Sequence, residues 1–347
     1  MNTFNFLGHE ITLTDQLMSR VRKENSMILF FRVLGPYLQK LYSDYYCEDS
    51  IPRVLIHGNP HLDNYSKTFS GCGLGDYDRC RLGPFSWDVI RAVGSIDFWG
   101  AEKNNQDEWL TDFYQGYSEG LLNSLVYWDT PEILRNMKPE KWQLTPKKYF
   151  KSNEKWSKKV RKNLVSLDNI EMRDLFSHCM EQNPHLKYLS NYELIEQAKV
   201  LGSMGKAHYV YVLNKADSYL YYDIKETYVE EDDEFFTNPF PSQGQRMISG
   251  SNLFSPGMEL RMSSVQFNGN DYWGREIPIL STKLPKSITS DDQAEIARNI
   301  GVQLGRGHRQ GDETTNIQTY FEEKFEYMVD LSLLMNREIE KNYQLII

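Results

Sequence analysis

The stretch that most constrains this chain runs from Val54 to Asp88 and reads VLIHGNPHLDNYSKTFSGCGLGDYDRCRLGPFSWD. A short apolar run, Val54-Leu55-Ile56, delivers His57-Gly58-Asn59-Pro60-His61-Leu62-Asp63-Asn64 into a turn, and a Gly-rich hairpin then returns Asp76-Tyr77-Asp78 beside it. Histidines, amides and carboxylates therefore gather in one small loop system. The interior of a helix or strand has no use for so many polar groups, and Asn and Asp supply the hard oxygens that Mg²⁺ takes. A catalytic loop is the economical reading. A solvated loop built from ordinary turn formers is the bland one.

Spacing separates these readings. From His57 the pattern is H-G-N-x-x-x-x-N, which is similar to the kinase catalytic loop H-R-D-x-x-x-x-N, whose Asn holds metal and whose Asp meets the acceptor hydroxyl. The run also resembles aminoglycoside phosphotransferases, with H-G-D-x-x-x-x-N, then a metal-binding Asp, then an Asp that starts a helix. Closer still is the bacterial family catalogued as domain of unknown function 2252, with its G-D-x-H-x-x-N, N-D-F-D and G-P-x-x-W-D-x-x-R runs. Asp76, Asp78, Gly83, Pro84, Trp87, Asp88 and Arg91 stand where that pattern wants them. The resemblance implies Asn64, Asp76 and Asp78 as metal ligands, with Asn59, His61 and, farther along the chain, Lys225 as the catalytic residues. One departure matters: both families carry Asp where this chain has Asn59, and an amide cannot accept a proton as a carboxylate can.

Nothing before residue 54 offers room for the five-stranded nucleotide-binding part of a kinase. A candidate comes later. Val200-Leu201-Gly202-Ser203-Met204-Gly205 is followed by two alternating runs, HYVYVL (208–213) and YLYYDIK (219–225), that read as a hairpin ending on Lys225. Glycine backbone N–H groups approach phosphate oxygens closely and a Lys ammonium neutralises them, so Gly202, Ser203, Gly205 and Lys225 are the candidate nucleotide contacts. A lone G-x-x-G is weak, and strand-end lysines are common at sheet edges. The family resemblance carries the same order, with G-S-x-G and K-E-A runs after its G-D-x-H loop. It implies an α+β, protein-kinase-like two-lobed fold in permuted order: a helical catalytic lobe at 1–195, a β-rich nucleotide clamp at 196–285 and C-terminal helices at 286–347. The activity implied is phosphoryl transfer from ATP, with Mg²⁺, to a small-molecule or protein acceptor. The alternatives are a nucleotide-binding pseudokinase that serves as an interaction module and, more remotely, nucleotidyl transfer from the same cleft.

Composition narrows the partners. The formal charge of −9 argues against a general nucleic-acid binder, although 138–162 carries ten Lys or Arg against two Glu, either an anionic contact or a solvated helix face. Four cysteines show no CxxC pair and no zinc spacing, and neither a signal peptide nor a long apolar run is present, so a reduced, cytoplasmic setting without a membrane span is expected. Helices are expected at 13–46, 86–99, 106–127, from a capping box at Ser290, and at 322–342, with strands over 265–280 and either helix or strand at 192–198. Arg32 either matches the family's F-x-R-G stretch or pairs with a neighbour. Gly244-Gln245-Arg246 resembles its G-x-R-V-V, and His308 is either a cleft residue or a helix-end cap.

Overall fold

Asn25 divides the segment expected as one helix over 13–46. Its backbone enters the left-handed region, φ 45°, which Asn tolerates better than most residues. Asp15–Glu24 (α1) therefore closes there, and Met27–Tyr45 (α2) opens on a Ser26 cap whose hydroxyl accepts from Leu29 N–H. A hairpin, Thr3–Phe6 (β1) and His9–Thr12 (β2), precedes them. The structure is a computed structural model that describes residues 2–99, 106–138, 143–144, 149–151, 155–167, 169–201, 206–216, 218–229, 231–285 and 287–346.

Arg53–Ile56 (β3) pairs antiparallel with Arg81–Pro84 (β6), so the apolar run and the end of the loop system are neighbours. Between them, Tyr65–Thr68 (β4) and Cys72–Leu74 (β5) form the Gly-rich hairpin. β6 runs directly into Phe85–Trp99 (α3), which is buried over most of its length. Gln106–Leu122 (α4) stops short of the expected 127.

A more fragmented stretch follows: Glu132–Arg135 (α5), Gln143–Leu144 (β7), Phe150–Lys151 (β8), Lys155–Trp156 (β9) and Lys158–Lys162 (α6). The basic segment 138–162 falls partly outside the described residues, and its described pieces are these short elements rather than one helix face. Leu164–Leu167 (β10) and Ile170–Gln182 (α7) then lead into a six-stranded antiparallel sheet. Its further strands are Glu193–Leu201 (β11), Ala207–Lys215 (β12), Ser218–Glu226 (β13), Ser263–Phe267 (β14) and Asn270–Glu276 (β15), in the order β10-β11-β12-β13-β15-β14. The segment at 192–198 is thus strand, and the expected hairpin is β12–β13, with His208 opposite Lys225. Alternation puts Tyr211 and Tyr222 on one face against Met172 and Phe176 of α7, and Val210 and Val212 on the other against Phe150 and Trp156. Leu280–Lys283 (β16) pairs with β4 and β7 instead, joining the C-terminal third to the loop system.

Gln243–Phe254 (α8) packs on β14 and β15. Ser290–His308 (α9) opens on a capping box formed by Thr289 and Asp292, one residue ahead of the expected Ser290, and Glu313–Tyr343 (α10) is longer than expected. α4 and α9 approach until side chains no longer fit between them: a Cβ on Gly116 or Gly120 would collide with the Arg298 or Val302 carbonyl, and one on Gly301 or Gly305 with those of Phe113 or Tyr117. This contact anchors a core shared by α2, α3, α4, α9 and α10. The fold is mixed α+β with antiparallel sheets. No helix among the described residues is long and apolar enough to cross a membrane.

Candidate functional site

The catalytic-pattern turn is fixed from beneath by Asp88, at the start of α3. Its carboxylate accepts from His57 N–H (2.6 Å) and Gly58 N–H (2.8 Å), while the neighbouring Trp87 Nε1–H donates to the Gly58 carbonyl (2.9 Å). Gly58 is required: its φ is +83°, and a Cβ would strike the Arg79 carbonyl. His308 supports Asp88 in turn. Fully buried at the end of α9, it places Nε2 3.0 Å from the Asp88 carboxylate and Nδ1 2.9 Å from the Tyr117 hydroxyl. His308 is therefore a strut under the turn. His57 is also fully buried, packed beside Tyr77 and Phe254.

The loop carrying Asp76 and Asp78 is held from two sides. Gln303 of α9 accepts from Leu74 N–H (3.0 Å), and buried Arg246 of α8 donates to the carbonyls of Asp78 (2.7 Å) and Cys80 (2.9 Å). Asp76 sits at φ 68° and is open to the cleft though surrounded by protein. Its carboxylate and that of Asp78 share a hydrogen bond. Burial and the Asp76 charge push Asp78 up to about 7. Burial also opposes ionising Asp76, but Lys225, the Asp78 hydrogen bond, Arg32 and His57 together outweigh it and hold its pKa below the usual range. Asn64 is nearly buried, and its side-chain nitrogen has no partner among the described residues.

The sheet forms the facing wall. A cavity of about 350 Å³ brings Asn64, Asp76 and Asp78 together with Lys225, and adds Lys206, His208, Glu226, Tyr228, Trp273 and Arg275. Lys225 Nζ lies 3.6 Å from Asp223 on its own strand and over the Trp273 ring. Asp223, almost fully buried, also faces His208 at 3.5 Å. Burial alone would raise its pKa, yet Lys225, His208 and Arg275 hold it at about 2. Lys206 pairs with Glu226 (2.8 Å), and Arg275 with buried Glu259. The candidate phosphate-binding turn, Gly202, Ser203 and Gly205, lies outside the described residues.

Asn59 and His61 line a second, smaller hollow of about 120 Å³ with Arg20, Arg32 and Arg79. It meets the larger cavity at Arg32, Asp76, Asp78 and Tyr228. The expected site residues therefore divide between adjoining spaces. Asn59 Oδ1 accepts from Arg91 Nε (3.1 Å). His61 is buried, and burial, reinforced by Arg32 and Arg91, keeps its pKa well below the ordinary range, so the ring is neutral. Arg32 is engaged by Asp63 at 2.5 Å. Among the described residues, no cluster of three or more His, Cys, Asp or Glu is arranged to hold a metal.

Sequence reasoning left out Asp223, Arg275, Glu259, His208 and Lys206. Asp223 carried a usable signal, since residues two apart on a strand share a face and Lys225 ends the same strand. Glu259 and Arg275 carried none, because they meet across separate elements.

A family described as "Uncharacterized protein conserved in bacteria (DUF2252)" matches residues 132–344, more than half of the chain. The matched region holds the six-stranded sheet, Lys225, Arg246 and His308, while the turn at 57–78 precedes it. No curated protein and no solved structure matches.

Proposed function

We propose, proceeding from the premise that the chain belongs to this bacterial family, that it is an ATP-dependent phosphotransferase with a kinase-like, permuted two-part arrangement. The observation that carries this reading is the shared cavity: Lys225 of the sheet and Asn64, Asp76 and Asp78 of the loops line one space of about 350 Å³. Asp76 and Asp78 fit a divalent cation, because two adjoining carboxylates form an oxygen donor set of the kind Mg²⁺ uses, with Asn64 lining the same cavity. Bound Mg²⁺ would neutralise phosphate charge. Lys225, Lys206 and Arg275, each held by a carboxylate, line the same cavity, and the pinned turn presents Asn59 to the acceptor. The γ-phosphoryl P–O bond breaks, a bond to the acceptor hydroxyl oxygen forms, ADP leaves and the hydroxyl proton passes to water. Such transfer depends mainly on positioning and charge stabilisation, so an amide at position 59 is compatible with turnover.

A specific observation favours the second reading, a nucleotide-binding module without turnover: Asn59 cannot act as base, and its oxygen is already engaged by Arg91. ATP should raise the melting temperature more with Mg²⁺ than without, and Asp76→Ala should remove the metal-dependent part. Equal stabilisation with and without metal overturns the assigned site. Asn59→Asp then separates the two readings: a transferase gains hydrolysis or transfer by roughly 10²–10⁴-fold, whereas a binding module gains none.

A further inference from the structure

On the sheet wall of the larger cavity, Lys206 pairs with Glu226, Arg275 with Glu259 and Lys225 with Asp223. Among the described residues these pairs bring no net charge to a polyphosphate. His208 has no carboxylate of its own and shares Asp223 with Lys225. It lines the cavity, directly across the ladder from Lys225. Its side chain is 26% exposed, and its Nδ1 stands 3.5 Å from Oδ1 of Asp223, whose side chain is 3% exposed. That buried Oδ1 has no hydrogen bond of normal length among the described residues. A buried carboxylate oxygen calls for a donor, which places the proton of a neutral ring on Nδ1 and leaves Nε2 a bare acceptor. Nε2 meets no partner among the described residues.

A fully ionised phosphate only accepts hydrogen bonds. With Nδ1 turned to a carboxylate, Nε2 can donate to phosphate only when both ring nitrogens carry protons. We propose that His208 is a phosphate contact of the larger cavity and takes up a proton as a polyphosphate binds, oriented through Nδ1 by Asp223. This assignment rests on the nucleotide reading above and adds to it the charge state in which the sheet wall receives its ligand. Asp223 then stands beneath two cations, His208 and Lys225, and the wall turns from neutral to positive as it meets the phosphates. Lys206, Glu226 and Arg275 share that wall. The loop side brings Arg32, Asp76, Asp78 and Lys283, and Tyr228 lies at the junction with the smaller hollow. Asp78, pushed up to about 7, also changes charge near neutrality, but metal binding there releases a proton, the opposite sign.

The test measures ATP affinity by calorimetry between pH 6 and pH 8, with Mg²⁺ and with EDTA. It compares the full chain with His208→Gln, which cannot gain charge, and His208→Lys, which carries it without an imidazole. Melting temperatures verify that both variants are folded. Comparison between chains cancels the titration of ATP itself and of Asp78. From pH 8 to pH 6 the parent's affinity should rise by roughly threefold or more beyond any rise in His208→Gln. The parent should also take up more protons on binding, read from the heats in two buffers of different ionisation enthalpy. His208→Lys should lose this pH dependence and still bind ATP at pH 8. Identical pH profiles in the parent and His208→Gln overturn the contact, as does an equal loss of affinity in both variants at every pH, which would make the ring a wall of the cavity and no more. ATP binding and turnover with no His208-dependent proton uptake overturn this contact alone. Proton-linked binding without hydrolysis or transfer overturns the transferase reading alone, and no ATP binding at any pH overturns both.

Discussion

Asp88 and Asp223 are both buried carboxylates, one in each wall of the cleft, and they are held differently. Asp88 accepts two backbone N–H groups of the catalytic-pattern turn and faces His308, so its role is to fix where the chain goes. Among the described residues Asp223 meets side chains, His208 at 3.5 Å and Lys225 at 3.6 Å, both of which line the cavity. The loop wall is built by backbone hydrogen bonds and sets geometry. The sheet wall is built by ion pairs and sets charge. Damage to the first should appear as lost stability, and damage to the second as altered response to pH and ligands.

The largest effect is expected from Asp88→Ala. It strands the His57 and Gly58 N–H groups and removes the partner of a buried His308, and breaking such a buried pair costs about 3–5 kcal/mol. Urea denaturation should show that loss. A variant within about 1 kcal/mol of the parent would mean that the turn is held by other contacts and that the contrast between the walls is wrong.

What the sequence revealed follows the same division. The turn, the β4–β5 hairpin and β12–β13 were legible because their signals are local: turn formers, alternation and short spacings. The supports were not, since His308 meets Asp88 across 220 positions and Arg246 meets the Asp78 carbonyl across 168. One long-range support did leave a trace. Gly116/Gly120 and Gly301/Gly305 each lie four apart, a spacing that puts both glycines on one helix face and permits the close α4–α9 approach that carries His308 beneath the turn. The break at Asn25 was missed because the apolar spacing continues across it while the backbone does not.

Asp223→Asn should give a smaller, pH-dependent effect. Its folded pKa, about 2, lies below the unfolded value of about 3.9. The carboxylate therefore contributes stability that is present above pH 4 and lost as pH falls through 2. The expected contribution at neutral pH is on the order of 2 kcal/mol. Denaturation curves at pH 7, 4 and 2 should show the variant's deficit shrinking with acid. A deficit that is the same at all three would show that Asp223 acts through packing rather than charge, and the sheet wall would then resemble the loop wall.

The smallest effect, Gly35→Ala, probes the point where the two hollows' chemistry meets α2. Alanine in a helix interior gains up to about 1 kcal/mol over glycine, so the change would ordinarily stabilise. Here the new methyl would stand 3.2 Å from both Arg91 Nη2 and Asn59 Oδ1, and one of them must give way. Arg91 has little room to do so, because Phe31 holds it through both its carbonyl and its ring. Asn59 is the freer of the two, so the methyl should displace its amide and loosen the bond to Arg91. The net change in stability should be below about 1 kcal/mol and short of the full helix-propensity gain. A gain of the full helix-propensity increment would show that the Asn59–Arg91 contact yields without consequence, and the geometry of that wall would then be softer than its hydrogen bonds imply.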